Sequence, residues 1–278
     1  MNFKVFENPA VKGNKLGIRS HLLILPSVVC STHVSRKVAN QVGAITFAHQ
    51  HGCGIIGNDV GGIRDFFISL ADQPNVGPVL IIGLGCETIQ GNELAESIKA
   101  VNSATEYLVI QESGGMAETL AKGISVANRL KQNLYVKSNQ SDSLLIGIDS
   151  EENNEKTELI SEWLADFQIV RSQNLKNSGL RFSKLMEEKV QLIISLTEPN
   201  QPASGFPTIP TINIASDSAL HQATISDFDL SFGKNSSLKT VSKETLLELI
   251  SNIANGQLTK SEQTQSGEII APRMVRSV

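Results

Sequence analysis

Val79-Leu80-Ile81-Ile82-Gly83-Leu84 is the stretch that decides the fold. An unbroken aliphatic run rich in β-branched residues and too short for a helix suits a strand covered on both faces, as strands of a parallel sheet are. Gly85-Cys86-Glu87 follows at once, and Leu94 and Ile98 then stand at helical spacing. Upstream, His21 to Leu25 is a second apolar run closed by Pro26, and Val34, Val38 and Val42 mark a helix with Ser31 or Thr32 as its N-cap. Ala44 to Phe47 is expected to be a short strand, His49 to Gly62 a glycine-rich loop and Ile63 to Leu70 a helix. Downstream, Tyr107 to Ile110 reads as a strand, and Met116, Leu120, Ile124 and Ala127 form the stripe of a long helix. Strand and helix alternating in this way predict a parallel sheet, because parallel strands need crossover connections.

A second series follows the polar stretch Lys131 to Asp142. Strands are expected at Leu144–Ile148, Phe167–Val170, Leu192–Leu196 and Thr211–Ala215. Helices carry Leu159, Ile160, Trp163 and Leu164, then Phe182, Leu185 and Met186, and last Leu246, Leu247, Ile250 and Ile253. The tail from Gly256 is polar and expected to lie over the surface. The predicted fold class is α/β, with two parallel-sheet αβ units occupying residues 1–135 and 136–278. They are Rossmann-like without the dinucleotide fingerprint, since Gly83-Leu84-Gly85-Cys86-Glu87-Thr88 has no glycine at its sixth position.

With 24 basic against 28 acidic residues and no basic run interleaved with aromatics, nucleic acid is not an expected partner. No apolar run reaches the ~18 to 20 residues of a membrane helix, and residues 1–10 lack a signal peptide's apolar core, so the expectation is a cytoplasmic protein. In that compartment the three cysteines read as ligands, nucleophiles or buried filler ahead of disulfides.

Ligands bind beyond the carboxyl ends of strands in an open parallel sheet. Cys30 falls beyond the first predicted strand, His49, His51 and Cys53 beyond the second, Cys86 and Glu87 beyond the third, and Glu112 beyond the fourth. In an extended segment His49, His51 and Cys53 would share a side, with Gly52 and Gly54 leaving room for a ligand. Such a mixed set suits zinc or iron, and three thiolates suit an iron-sulfur cluster with one iron open. Plainer readings stand beside these. Cys30 taken alone is expected to be a buried apolar thiol, and Glu87 and Glu112 are as well suited to capping the helices that follow them. Cys53 with His49 or His51 would also serve as the nucleophile pair of a thiol hydrolase.

Gly17-Ile18-Arg19, LLILPSVVC ending at Cys30, HQHGCG at His49–Gly54, Pro74-Asn75, VLIIGLGCE ending at Glu87 and QESGG at Gln111–Gly115 resemble, in order and spacing, the altronate/galactarate dehydratase family. The resemblance runs from about Gly17 to Leu130 and resumes at PTINIASDSAL (Pro210–Leu220) and GQLTKSE (Gly256–Glu262). It implies a metal-dependent hydro-lyase that dehydrates a sugar acid such as altronate or galactarate to a 2-keto-3-deoxy acid. It implies a divalent metal, most simply iron as Fe2+ or an iron-sulfur cluster, and Cys30, Cys53 and Cys86 match the family's cysteine positions; from their chemistry we expect these thiols and His51 to be the ligands and His49, His51, Glu87 or Glu112 the base. A small N-terminal-domain-like subunit is a possible partner, and a homo-oligomer another. About sixteen residues precede Gly17, where family enzymes carry a domain of roughly a hundred. The family's Gln-Cys-Gly-Gly-Ser-Asp run stands here as Gly147-Ile148-Asp149-Ser150-Glu151-Glu152, its Thr-Thr-Gly-Arg-Gly-Ser loop as Ser195 to Gly205, and its closing-strand lysine as Asn213. A non-catalytic relative that binds a sugar acid or serves as a subunit is therefore the alternative.

Overall fold

The computed structural model describes residues 3–271 apart from 9, 14, 133, 135, 136, 153, 173, 174 and 234–236. The chain divides into two units, one of residues 6–137 with those from 269 onward, the other of residues 138–268 with 1–5.

In the first unit, Phe6 and Glu7 at the end of β1 (Phe3–Glu7) pair antiparallel with Gly17 and Leu16 of β2 (Leu16–Gly17). There follow β3 (His21–Pro26), α1 (Thr32–Val42), α2 (Asn58–Ala71), β4 (Val76–Gly83), α3 (Gly91–Lys99), β5 (Thr105–Val109), α4 (Ile110–Ser113) and α5 (Met116–Gln132). β3, β4 and β5 form a parallel sheet in that order, with Leu25 opposite Ile81 and Ile81 opposite Tyr107. Every residue of β4 is buried, as its uninterrupted aliphatic run requires. Leu22, Ile24, Leu80 and Ile82 pack on one face against Val34, Val38 and Val42 of α1 and Ala127 and Leu130 of α5. Each of the Val, Leu and Ile side chains among these is worth roughly 1.5–3 kcal/mol when removed from water. Gly123 lets α5 approach α1, since a Cβ there would stand 2.8 Å from Val38 Cγ2.

The expected strand Ala44–Phe47 is reduced to a single parallel bridge between Ile45 and Leu23. Ile45 exchanges backbone bonds with Leu22 and Ile24, but the Thr46 hydroxyl then donates to Ile24 O at 2.8 Å and the ladder goes no further. The helix expected at Ile63–Leu70 begins earlier, at Asn58, after Gly57 turns the chain at φ 60°. Asp59 sits in its first turn, where a carboxylate meets the positive end of the helix dipole. Met116, counted in the buried stripe of α5, is half exposed at that helix's first position. Ser31 is the N-cap of α1, yet its hydroxyl donates to Val28 O instead of accepting from the helix.

The second unit contains β6 (Lys137–Ser141), β7 (Leu145–Asp149), α6 (Glu155–Trp163), β8 (Gln168–Ser172), α7 (Ser178–Glu187), β9 (Leu192–Leu196), β10 (Thr211–Ala215), α8 (Ala219–Ala223), β11 (Leu230–Ser231), α9 (Lys243–Ala254) and α10 (Lys260–Thr264). Five strands pair parallel in the order β11-β10-β9-β7-β8. The chain runs outward from β7 to β8, returns past β7 to β9 and continues the other way, so the order reverses between β7 and β9. Beneath that point Asp149 is fully buried, paired with the equally buried Arg181 and accepting hydrogen bonds from Ser172 and Ser195.

The tail from Gly256 does not simply cover the surface. Thr259 and Glu262 form a capping box that starts α10, the amide of Lys260 donates to Asp229, and Ile269 and Ala271 are buried. Polar composition concealed this because two of the buried residues, Thr259 and Ser261, carry hydroxyls with internal partners, Ser261 donating to Thr211 O. No helix among the described residues is long and apolar enough to cross a membrane.

Candidate active-site rim of the first unit

Three segments meet beyond the carboxyl ends of β3 and β4. The amide of Val29 donates to His51 O at 2.9 Å, tying the turn that carries Cys30 to the HQHGCG loop. The Thr88 hydroxyl donates to Cys53 O at 2.7 Å and the Cys53 thiol lies 3.7 Å from Cys86 O, tying that loop to the turn after β4. Cys30, Cys53 and Cys86 are all free and all exposed. The expectation that Cys30 is a buried filler thiol is thus overturned, because the short 3-10 turn Val29–Ser31 buries Ser31 and leaves Val29 and Cys30 outside.

Desolvation against the rim raises the pKa of the Cys53 thiol above its ordinary value, and Cys86, Cys30 and Glu87 raise it further. The three sulfurs and the Glu87 carboxylate therefore feel one another's charge. Among the described residues no group of three or more His, Cys, Asp or Glu side chains closes on a point to hold an ion. The chemistry of the donors still fits a soft or borderline metal: three thiols stand on one open rim, where a Cβ at Gly54 would meet nothing within 4 Å and one at Gly52 would come no nearer than 3.5 Å, to Val29 Cγ1.

The histidines separate. His49 is buried between Phe47 and Phe67, with ring centroids 6.4 and 5.3 Å away, while His51 is half-buried above it. They do not share an exposed side, because His49 Nδ1 accepts the amide of His51 at 2.9 Å and holds its ring inward. Burial first, and then the neighbouring His51, lower the His49 pKa to about 4, so it is a neutral imidazole with its proton on Nε2. That Nε2 is buried without a hydrogen-bond partner. His51 Nε2 stands 3.5 Å from Ala271 O; a carbonyl only accepts, which assigns the proton to Nε2 and leaves the Nδ1 lone pair open.

Glu87 is 98% buried and both its oxygens are engaged, Oε1 by the Ser27 hydroxyl at 2.8 Å and Oε2 by the Gly85 amide at 2.6 Å. It neither caps a helix nor faces solvent; it braces the turn that presents Cys86. Gly83 makes this possible, since a Cβ there would lie 2.3 Å from Glu87 Oε1. Glu112 lies exposed in the first turn of α4. Tyr107 went unnoticed in the sequence, where it reads as a strand residue. Its hydroxyl packs at Gly83 and Gly91, and burial followed by the charges of Glu87 and Glu112 pushes its pKa up to about 12. Ser27 went unnoticed too, although it stands in the LLILPSVVC run just past β3.

A model of the second domain of D-galactarate dehydratase/altronate hydrolase matches residues 11–135, which include every group of this rim except Ala271. Residues 11–135, a little under half of the chain, are thus similar to that family's second domain. Two relatives named altronate dehydratase agree with this. The one from Escherichia coli (strain K12) is 30% identical over 106 residues, 34% of this chain and 21% of that protein. The one from Bacillus subtilis (strain 168) is 24% identical over 142 residues, 45% of this chain and 28% of that protein. The chain therefore covers less than a third of each of these relatives. The rim of the altronate hydrolase-type domain carries the whole thiol set, and the matched residues 11–135 stop short of β7 to α10.

Proposed function

We propose that the chain is a metal-dependent hydro-lyase that removes water from a sugar acid, of the altronate or galactarate kind, to give a 2-keto-3-deoxy acid. The observation that carries this reading is the convergence of Cys30, Cys53 and Cys86 on one exposed rim within the family-matched residues. Those thiols would hold iron, as Fe2+ or as an iron-sulfur cluster. When bound, the metal supplies a Lewis acid for the substrate's carboxylate and hydroxyl oxygens. His51, half-buried with its Nδ1 lone pair open, takes the proton beside the carboxylate. The neighbouring hydroxyl leaves as water, taking up the proton that His51 carries, and the resulting enol tautomerises to the 2-keto acid. His49 holds the loop through the His51 amide and Glu87 holds the turn of Cys86.

Glu112 is exposed and bonded to nothing that would aim it, which makes His51 the better base. Thiol-hydrolase chemistry is disfavoured. A nucleophilic cysteine needs a lowered pKa, whereas the surroundings of Cys53 raise it.

The second reading is a family relative that binds a sugar acid without turning it over, or serves as a subunit. It is favoured by Ile148, Asp149 and Ser150, which stand where the family's Cys-Gly-Gly run is expected and are buried, the last two in a structural network. Anaerobic purification followed by a keto-acid assay on a panel of sugar acids, with and without a small-domain partner subunit, separates the two. Iron with keto-acid formation supports the hydro-lyase. A thermal shift with altronate but no product, with or without the partner, supports the binder.

A further inference from the structure

In the second unit the ends of β9 and β10 and the start of α6 surround a cavity of about 360 Å³. It lies where the strand order reverses, the place at which open α/β sheets receive ligands, and its size falls within the roughly 300–1,000 Å³ of small-molecule clefts. Leu196 and Ile214 form an apolar floor, and Phe232 is one wall, with the Lys156 ammonium 4.8 Å from its ring centroid. Three charged side chains border it: Glu155 and Lys156 from the first turn of α6, and Glu198 from the loop after β9. The start of α6 is not an anion cradle, because the Asn154 side chain already accepts from the amides of Lys156 and Thr157. Asp149 and Arg181 brace the end of β7 from within, so the cavity stands on a rigid support.

We infer that this cavity binds a small zwitterion with an apolar side chain, chemically an α-amino acid. The side chain lies on Leu196, Ile214 and Phe232, the ammonium faces Glu198 and the carboxylate faces Lys156. Charge selects this class over its neighbours. A simple carboxylate or a sugar acid brings a second anion beside Glu155 and Glu198 and a polar body against an apolar floor, whereas a simple amine leaves Lys156 without an anion. The Glu198 carboxyl is held above its usual range by burial first and then by Glu151, with Glu152 adding to it, and an ammonium beside it relieves that repulsion. The site is separate from the sugar-acid reading and survives or fails without it.

The test is titration calorimetry of the full chain with L-leucine, 4-methylpentanoate and 3-methylbutylamine, the last two being its carboxylate and ammonium halves. Leucine is expected to bind, each half to bind at least roughly tenfold more weakly, and Glu198→Gln or Lys156→Gln to weaken leucine by a similar factor. Lys156 is exposed, so its variant folds, and circular dichroism of both variants confirms this. No binding of leucine to the folded wild type at ~10 mM, a half-molecule that binds as tightly as leucine, or leucine affinity unchanged in both variants would each overturn the inference.

Discussion

His49 Nδ1 accepts the backbone amide of His51 at 2.9 Å, so a buried neutral imidazole sets the path of the loop that carries Cys53. Protonating Nδ1 would set two N–H groups against each other. The folded-state pKa of about 4 lies below the ordinary 6.5, so the unfolded chain binds this proton more tightly. The contribution is therefore intact above pH 6.5 and lost as pH falls toward 4, about 3 kcal/mol in all. Melting temperatures of the wild type should drop across that window, and the drop should be smaller in His49→Phe. An identical drop in both would show that His49 is not the group responsible.

Gly83 ends β4 directly under Glu87. Gly83→Ala places a methyl group against Glu87 Oε1, the Tyr107 hydroxyl and Ser27 Oγ. A loss of about 1–3 kcal/mol in urea unfolding is expected from this overpacking. The displaced turn should also loosen Cys86, read as faster alkylation of that thiol by iodoacetamide. Unchanged stability would mean that the brace around Glu87 adapts without cost.

Asp149 and Arg181 form a buried pair whose side chains are each 1% exposed. Arg181→Met leaves the carboxylate without its counter-charge and should cost about 3–5 kcal/mol by denaturant unfolding. The double variant Arg181→Met with Asp149→Leu should regain part of that loss. No regain would mean that the packing of Arg181, and not the pairing, accounts for the effect.

Much of this architecture was legible in the sequence, for a physical reason. Val79 to Ile82 must be buried on both faces, and Val34, Val38 and Val42 lie along one side of a helix, so strand and helix follow from side-chain pattern. The parts that were not legible are decided by hydroxyls, glycines and short pairings. Thr46 ends a strand that its apolar neighbours promise, Gly57 starts α2 before its hydrophobic stripe begins, and β1 and β2 meet through two residue pairs. At the site, residue type and position along the chain brought the three cysteines to one rim. Burial did not follow from type: His49 went inward and Cys30 outward because one side-chain acceptor and one tight turn decide which way each faces.

If His51 is the base and the thiols hold the metal, their substitutions fail differently. His51→Asn should retain bound iron and lose ~100-fold or more in keto-acid formation, the usual worth of a positioned base. Loss of iron together with activity would make His51 a ligand instead.

The central claim is that Cys53 and its partners at Cys30 and Cys86 hold iron. Its most direct measurement is the iron content of anaerobically purified wild type beside Cys53→Ser, with far-ultraviolet circular dichroism confirming that both are folded. The expected result is iron bound to the wild type and largely lost from Cys53→Ser. Iron absent from the folded wild type after anaerobic reconstitution, or unchanged in Cys53→Ser, would contradict it.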